Sequence, residues 1–257
     1  MVQLTSAWKC VEMNNSERHV FSDPETLSAA AANYFSETAT DAVRARGRFL
    51  VALSGGGTPQ MLYQLLSEEP FLSAVPWQQI HFFWGDERLV PPQNEGSNYR
   101  QVFQTLLSKA MVPSANIHRI QGELSPAEAT LQYQTELSRF AASGLKWPKF
   151  DLILLGLGSD GHTASLFPGP IPAAHARLPV AAVTADYGGR PAQRITLTPL
   201  VFNQARRILF LVAGEGKRQA LQMVTQGPEE LEQWPAQRIR PAAGMVSWYV
   251  DAAAAGG

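Results

Sequence analysis

The sequence predicts an α/β fold, in which a doubly wound, mostly parallel sheet carries helices on both faces in a Rossmann-like arrangement. Short apolar runs of strand length alternate along the chain with longer segments of helical periodicity. The apolar runs are nearly continuous, as expected for parallel strands that are buried on both faces. Glycine-rich loops follow several of these runs, at the strand ends where open α/β sheets bind ligands.

The predicted strands are apolar segments bounded by polar, proline or glycine residues. In chain order they are 8–12, 49–53, 80–84, 150–157, 194–198, 208–212 and 245–250. Residues 168–189 contain several prolines and a Gly-Gly turn, which favours a surface excursion over a domain boundary. We therefore expect residues 1–257 to form a single α/β domain.

The predicted helices begin at residues that can cap their first turn. The Ser-x-x-Glu spacing of a capping box occurs at 22–25, before a long alanine-rich helix, and at 125–128, before a second helix. Thr58 can cap a helix that has Pro59 in its first position. Two further helices are predicted to follow Ser97 and Gly214.

The composition narrows the set of possible partners. The formal net charge of −1 provides no basic field, so we expect no nucleic acid and no membrane as partner, and selectivity for an anion must come from a local site. Cys10 is the single cysteine, which suits a reducing compartment. No apolar run approaches the ~18 residues that span a bilayer, and no signal peptide is evident. We expect a cytoplasmic protein that is a monomer or a weak homodimer.

The segment 151–169 carries the most chemical information. It runs from an apolar strand through a glycine-rich turn into the triplet Asp160-Gly161-His162. A histidine can accept a proton near neutral pH, and a carboxylate two residues away can interact with its ring. Of the 5 histidines, only His162 combines a strand end, a glycine turn and a nearby carboxylate.

The same segment contains a glycine pattern that mimics a dinucleotide-binding fingerprint. Residues 156–161 match G-x-G-x-x-G after a strand. The fingerprint requires a following helix, but the prolines within residues 163–179 leave room for only a turn or two. We therefore predict no dinucleotide cofactor. No metal is predicted either, because zinc-site spacings of Cys and His and the H-E-x-x-H motif do not occur.

The loop Ser54-Gly55-Gly56-Gly57-Thr58 lies between a predicted strand and a predicted helix. Glycines let backbone N–H groups approach a ligand closely, and a helix start carries partial positive charge, so phosphate is the favoured occupant. The alternative is a plain strand-to-helix turn, although such a turn rarely needs the entropic cost of three glycines.

Charged residues at two other strand ends extend this candidate anion site. The planar guanidinium of Arg88 suits a phosphate or a developing oxyanion, and Asp86 could bind a sugar hydroxyl; the alternative is a surface charge cluster. Lys217 lies in a Gly-x-Gly-Lys turn, where it either contacts a bound anion or is simply solvated. Arg194 begins another strand and is a weaker candidate.

Taken in order, these segments resemble the 6-phosphogluconolactonase family, within a wider group that includes the glucosamine-6-phosphate deaminases. The resemblance covers nearly the whole chain. It rests on residues 53–59, 83–90 with 97–98, 155–169, 195–199, 214–218 and 246–251. Gly57 departs from the family, which more often has a side chain there, so Ser54, Thr58 and backbone N–H groups must suffice to bind phosphate.

The resemblance implies hydrolysis of 6-phospho-D-glucono-1,5-lactone to 6-phosphogluconate in the pentose phosphate pathway, without a metal. It implies that His162 is the general base and that Asp160 orients it. The residues that it places around the sugar phosphate are Ser54, Gly55, Gly56, Thr58, Asp86, Arg88 and Lys217.

Two alternatives stay open. An amino-sugar phosphate isomerase-deaminase would use Asp86 to abstract a proton from its substrate, although Arg88 stands where that group has an aromatic residue. A non-catalytic sugar-phosphate sensor would have no use for a base paired with a carboxylate.

Overall fold

The computed structural model describes residues 15–172, 175–185 and 189–256, so the strand predicted at 8–12 lies outside the described residues. The strands in these ranges are β1 (Ser16–Phe21), β2 (Phe49–Leu53), β3 (Ile80–Trp84), β4 (Asp86–Arg88), β5 (Ile117–His118), β6 (Leu152–Gly156), β7 (Val180–Thr184), β8 (Gln193–Leu197), β9 (Arg207–Val212) and β10 (Met245–Asp251). The α-helices are α1 (Pro24–Arg46), α2 (Gly57–Leu66), α3 (Phe71–Ala74), α4 (Asn98–Val102), α5 (Pro126–Ser138), α6 (Pro199–Phe202), α7 (Arg218–Gln226) and α8 (Ala252–Ala255). None of the described helices is long and apolar enough to cross a membrane.

The main sheet has seven strands in the order β1-β10-β9-β6-β2-β3-β5, and all of its neighbouring strands run parallel. From β2 the chain winds to β3 and β5, and it then returns to β6 and winds the other way to β9 and β10. The direction of winding therefore reverses between β2 and β6, and the crevice at their carboxyl ends is the expected ligand site. The predicted doubly wound α/β class is confirmed.

A second, three-stranded antiparallel sheet of order β4-β8-β7 lies beside this crevice. The sequence predicted a loop at β4 and a surface excursion at β7, and both predictions were wrong. β4 is a three-residue charged segment without hydrophobic periodicity, so only its pairing with β8 identifies it as a strand. That pairing aligns Asp86 with Thr196 and Arg88 with Arg194.

Two of the four helix caps predicted at Ser22, Thr58, Ser97 and Ser125 differ in the structure, while Ser125 caps α5 as predicted. The cap of α1 is Asp23 rather than Ser22, because the Asp23 carboxylate accepts the Thr26 N–H at 2.7 Å. Pro24 is the first residue of the helix. The cap of α2 is Gly56 rather than Thr58, so Pro59 is the third helical residue rather than the first. Ser97 caps α4 as predicted, by accepting the Arg100 N–H at 3.1 Å.

The core lies between the main sheet and its helices. Every residue of β2 is buried, as continuous apolar runs in parallel strands predict. The buried face of α1 has two large side chains among small ones, and the small ones let the helix approach the sheet closely. Its residues include Leu27, Ala31, Phe35, Ala39 and Ala42. Asp151 ties the opposite end of the sheet together, because its carboxylate accepts the Leu50 N–H at 2.9 Å and pairs with Arg46 at 2.8 Å.

Candidate active site

A cavity of about 470 Å³ opens at the carboxyl ends of the main-sheet strands, next to the point where the winding reverses. Its volume suits a small polar metabolite. The cavity brings together nearly all of the site residues predicted from the sequence, namely Ser54, Gly55, Gly56, Thr58, Asp86, Arg88, His162 and Lys217. Asp160 joins them through its contact with His162. Arg190 and Asn98, which the sequence analysis did not single out, also line the cavity.

The loop after β6 holds Asp160 and His162 together. Asp160 Oδ1 lies 2.6 Å from His162 Nδ1 and also accepts the His162 backbone N–H at 3.2 Å. The carboxylate places the ring proton on Nδ1, which makes Nε2 the basic nitrogen. Gly158 is required beneath this pair, since a Cβ there would overlap the imidazole and the Asp160 carboxylate.

The segment that follows does not form the helix of a dinucleotide site. After Gly161, which has a φ of +81°, an isolated bridge pairs Thr163 with Leu166. Thr163 Oγ1 donates a hydrogen bond to the Gly156 carbonyl at 2.8 Å and closes the turn. Phe167 then lies against His162, with 5.0 Å between ring centroids. The glycine pattern at 156–161 is therefore followed by a bridged turn and not by a helix, as the prolines predicted.

The loop from Ser54 to Thr58 is held at its first residue. The Tyr63 hydroxyl donates to the Ser54 carbonyl at 2.8 Å and accepts the Ser54 N–H at 3.3 Å. Gly56, the cap of α2, has a φ of +112° and no capping side chain. Its N–H donates to Gln101 Oε1 at 3.0 Å, so Gly56 lines the cavity with its N–H already engaged. Sequence analysis missed Gln101, because nothing in its local pattern sets it apart.

Asp86 and Glu87 have different surroundings although both are buried. Asp86 faces the cavity and accepts the Ser165 hydroxyl at 2.6 Å. Glu87 faces away and accepts hydrogen bonds at 2.7 to 2.9 Å from four donors: Arg88 N, Asn98 N, Tyr99 N and Ser97 Oγ. Burial raises the pKa of Glu87, and the four donors oppose this shift. Glu87 thus joins the end of β4 to the start of α4.

Basic side chains dominate the charge of the cavity. Arg88, Arg190, Arg194 and Lys217 line it, and Asp86 is the one acidic residue among the described residues that do so. Arg88 is oriented by a 2.6 Å hydrogen bond from Nη1 to the Gly96 carbonyl. The Arg194 guanidinium lies over the Phe167 ring, 5.3 Å from its centroid. This surplus of positive charge favours an anionic ligand.

Lys217 interacts electrostatically both with a basic residue of the cavity and with the carboxylate of the histidine pair. Burial lowers the pKa of Lys217, the charge of Asp160 raises it, and the charge of Arg190 lowers it further. Lys217 therefore lies within electrostatic reach of both Asp160 and Arg190. It immediately precedes α7, at the end of the turn that connects this helix to β9, the strand that pairs with β6.

The fold and the cavity define a class of protein, namely an α/β protein with a basic cavity beside a histidine–carboxylate pair. Residues 22–248 match the family model described as "Glucosamine-6-phosphate isomerases/6-phosphogluconolactonase". The chain belongs to this family.

Similar proteins have been named in several organisms. The 6-phosphogluconolactonase of Synechocystis sp. is 41% identical over 215 residues, which cover 82% of this chain and 85% of that protein. The 6-phosphogluconolactonase of Haemophilus influenzae is 39% identical over 204 residues, which cover 79% of this chain and 85% of that protein. The solved structure of 6-phosphogluconolactonase from Trypanosoma brucei has a TM-score of 0.81 at 27% identity, covering 95% of this chain and 99% of that one.

Proposed function

We propose that this protein hydrolyses 6-phospho-D-glucono-1,5-lactone to 6-phosphogluconate. The observation that carries the proposal is the Asp160–His162 pair, with Nδ1 and Oδ1 2.6 Å apart, beside a cavity whose charged side chains are mainly basic. The names of the relatives support the choice of substrate. A base that activates water and a surplus of positive charge are what hydrolysis of a phosphorylated lactone requires.

In the proposed mechanism the phosphate binds at the amino end of α2 and to Lys217 or Arg88, which positions the lactone carbonyl near His162. Water attacks the carbonyl carbon as His162 Nε2 takes its proton, a contribution of typically ~10²–10⁴-fold. The new carbon–oxygen bond forms while the carbonyl π electrons move to its oxygen. Asp160 keeps the Nδ1 proton in place and stabilises the imidazolium.

The second half of the reaction opens the ring. A basic side chain or a backbone N–H of the cavity stabilises the tetrahedral oxyanion. When this intermediate collapses, the bond between the carbonyl carbon and the ring oxygen breaks, and the imidazolium of His162 returns its proton to that oxygen. The product is an open-chain carboxylic acid, which ionises, and His162 is neutral again for the next turnover.

His162→Ala tests the assigned base. We expect kcat to fall by about 100-fold or more, because no group replaces Nε2 as proton acceptor. Binding of 6-phosphogluconate should persist, since the phosphate contacts remain. A pH-stat assay on freshly generated lactone, corrected for spontaneous hydrolysis, measures kcat, and calorimetry measures product binding. His19→Ala, at the exposed strand β1, is the control and should behave as wild type.

This variant, together with two measurements on the wild-type protein, separates the proposal from its alternatives. Near-normal turnover by His162→Ala would remove His162 from the mechanism. Release of ammonia from glucosamine 6-phosphate by the wild-type protein would indicate the deaminase. Stabilisation by 6-phosphogluconate in a wild-type protein without any turnover would indicate the sensor.

We also propose that the protein acts in the cytoplasm as a monomer or a weak homodimer, with its sugar phosphate as its partner. The near-neutral charge and the single cysteine support this proposal. Sedimentation velocity over a hundredfold range of protein concentration tests the oligomeric state, and a stable higher oligomer would contradict it.

A further inference from the structure

The side-chain amide of Gln101 forms a two-bond clamp on the backbone of Gly56. Gln101 Oε1 accepts the Gly56 N–H at 3.0 Å, and Gln101 Nε2 donates to the Gly56 carbonyl at 2.9 Å. The orientation of the amide is fixed, because a backbone N–H can only donate and a carbonyl can only accept. Gln101 Nε2 also lies 3.3 Å from Gln60 Oε1 on α2.

The loop at Gly56 depends on such an external contact. Gly56 has a φ of +112° and a ψ of 170°, it lies between two other glycines, and no side chain caps α2. A stretch of glycines has many accessible backbone conformations, so it does not define one by itself. Tyr63 fixes Ser54, two residues before Gly56, through two hydrogen bonds, and Gln101 fixes Gly56 in the same manner.

The clamp determines where the first N–H groups of α2 point. Because the peptide bond is planar and trans, a Gly56 carbonyl directed at Gln101 turns the N–H of Gly57 in the opposite direction. Gln60 N donates to the Gly56 carbonyl at 3.3 Å, and Pro59 has no N–H. The helix-start donors without an acceptor inside the helix are therefore those of Gly57 and Thr58.

Gln101 is itself held rigidly. It lies in α4, whose first turn is capped by Ser97. Buried Glu87 accepts the N–H groups of Asn98 and Tyr99 in the same turn. The clamp thus joins the glycine loop to α4, whose first turn is held by both Ser97 and Glu87.

We propose that Gln101 is a positioning residue that acts through Gly56 to direct the Gly57 and Thr58 N–H groups at the phosphate of the substrate. It takes no part in the chemistry at His162. The inference rests on the proposed lactonase function, and it predicts that loss of the clamp affects recognition of the phosphate alone.

Gln101→Met tests the proposal, because methionine keeps the length of the side chain and removes both hydrogen bonds. We expect KM for 6-phosphogluconolactone to rise roughly tenfold, the size expected for losing one or two hydrogen bonds, with kcat within about twofold of wild type. For unphosphorylated glucono-1,5-lactone, kcat/KM should not change. Gln104→Met is the matched control, since Gln104 is exposed two residues beyond α4 and contributes no side-chain bond to the loop in the described residues.

A second readout is independent of turnover. Inorganic phosphate should bind Gln101→Met roughly tenfold more weakly than it binds wild type or Gln104→Met, as measured by calorimetry. If wild type hydrolyses neither lactone but this difference in phosphate binding is present, the lactonase proposal fails and the role of Gln101 stands. Equal changes with both lactones, or unchanged KM and unchanged phosphate binding, would overturn the role of Gln101. If Gln101→Met does not fold, Gln101→Asn, which is too short to span both bonds, is expected to give the same result.

Discussion

At the scale of single residues, Lys217 shows how a surface-type side chain becomes part of a site. Lysine at a helix start is slightly unfavourable, because the helix dipole is positive there. In this cavity the side chain is also partly buried, and burial lowers the pKa of Lys217 while Asp160 raises it. A bound phosphate would offset both costs, so the position is better explained by a ligand than by the fold.

Lys217→Ala should therefore raise KM for the phosphorylated lactone by about 10- to 100-fold, the size expected for one hydrogen bond to a charged group. We expect a smaller effect on kcat, because the imidazole and its carboxylate are retained. Arg218→Ala is the matched control, since Arg218 is the next residue but contacts Ala253 and Glu215 instead of the cavity. Steady-state kinetics decide the question, and an unchanged KM would remove Lys217 from the phosphate contacts.

Site residues could be predicted from the sequence only where the residues that contact each other are also close together in the chain. Asp160 and His162 stand two positions apart in one loop, so the sequence pattern alone brought them together. Gln101 acts on Gly56 across 45 positions, and glutamine on a helix has many ordinary roles. Ser165, which donates to Asp86 across 79 positions, was missed for the same reason.

At the scale of elements, the loop after β6 owes its geometry to Gly158. A Cβ at Gly158 would overlap the His162 ring and the Asp160 carboxylate. Gly158→Ala should therefore displace the imidazole, and a displacement of the order of 1 Å can cost about 100-fold in rate. We expect kcat to fall by that amount while the thermal unfolding midpoint changes little.

Gly216→Ala is the control for this substitution. Gly216 lies in the turn that leads to Lys217, and a Cβ there meets no atom within 4 Å. We expect its kcat to stay within about twofold of wild type. If both variants lose the same activity, the close approach at Gly158 is not what orients His162.

Element prediction worked where burial on both faces leaves a continuous apolar run. The segments 49–53 and 80–84 coincide with β2 and β3. It did not work for β4, which contains only Asp, Glu and Arg and becomes a strand through its partner β8, whereas β8 itself was predicted at 194–198. Pairing with a segment more than 100 residues away leaves no signal in the local sequence of β4.

At the scale of the whole molecule, stability should depend on a histidine pair outside the cavity. His81 Nδ1 lies 3.0 Å from His118 Nε2, and His118 Nδ1 lies 2.8 Å from Glu136 Oε1. Burial, helped by the charges of His118 and Arg48, lowers the pKa of His81 to about 4. Burial also lowers the pKa of His118, against the opposing effect of Glu136.

The sign of the pH effect follows from these shifts. An unfolded chain protonates its histidines near pH ~6.5, whereas the folded pair stays neutral to lower pH. Between about pH 6.5 and pH 4 the unfolded state therefore binds more protons, and the free energy of unfolding falls as the pH falls. Urea denaturation at pH 7, 6 and 5 should show this decline.

His81→Gln should flatten that pH dependence, because one of the two titrating groups of the pair is removed. His19→Gln, at the exposed strand β1, is the matched control and should keep the wild-type slope. Identical slopes in wild type and His81→Gln would contradict a role for the pair in acid sensitivity.

The Asp160–His162 pair and the phosphate contacts differ in how they are assembled. The pair is encoded within three consecutive residues, and its geometry depends mainly on one tight loop. The residues proposed to contact the phosphate come from the ends of β2, β4 and β9, which are far apart in the chain and meet only in the folded protein. Transplanting the loop into another α/β protein should therefore transfer the histidine–carboxylate pair. It should not transfer affinity for a sugar phosphate, because that affinity depends on the other strand ends of this protein.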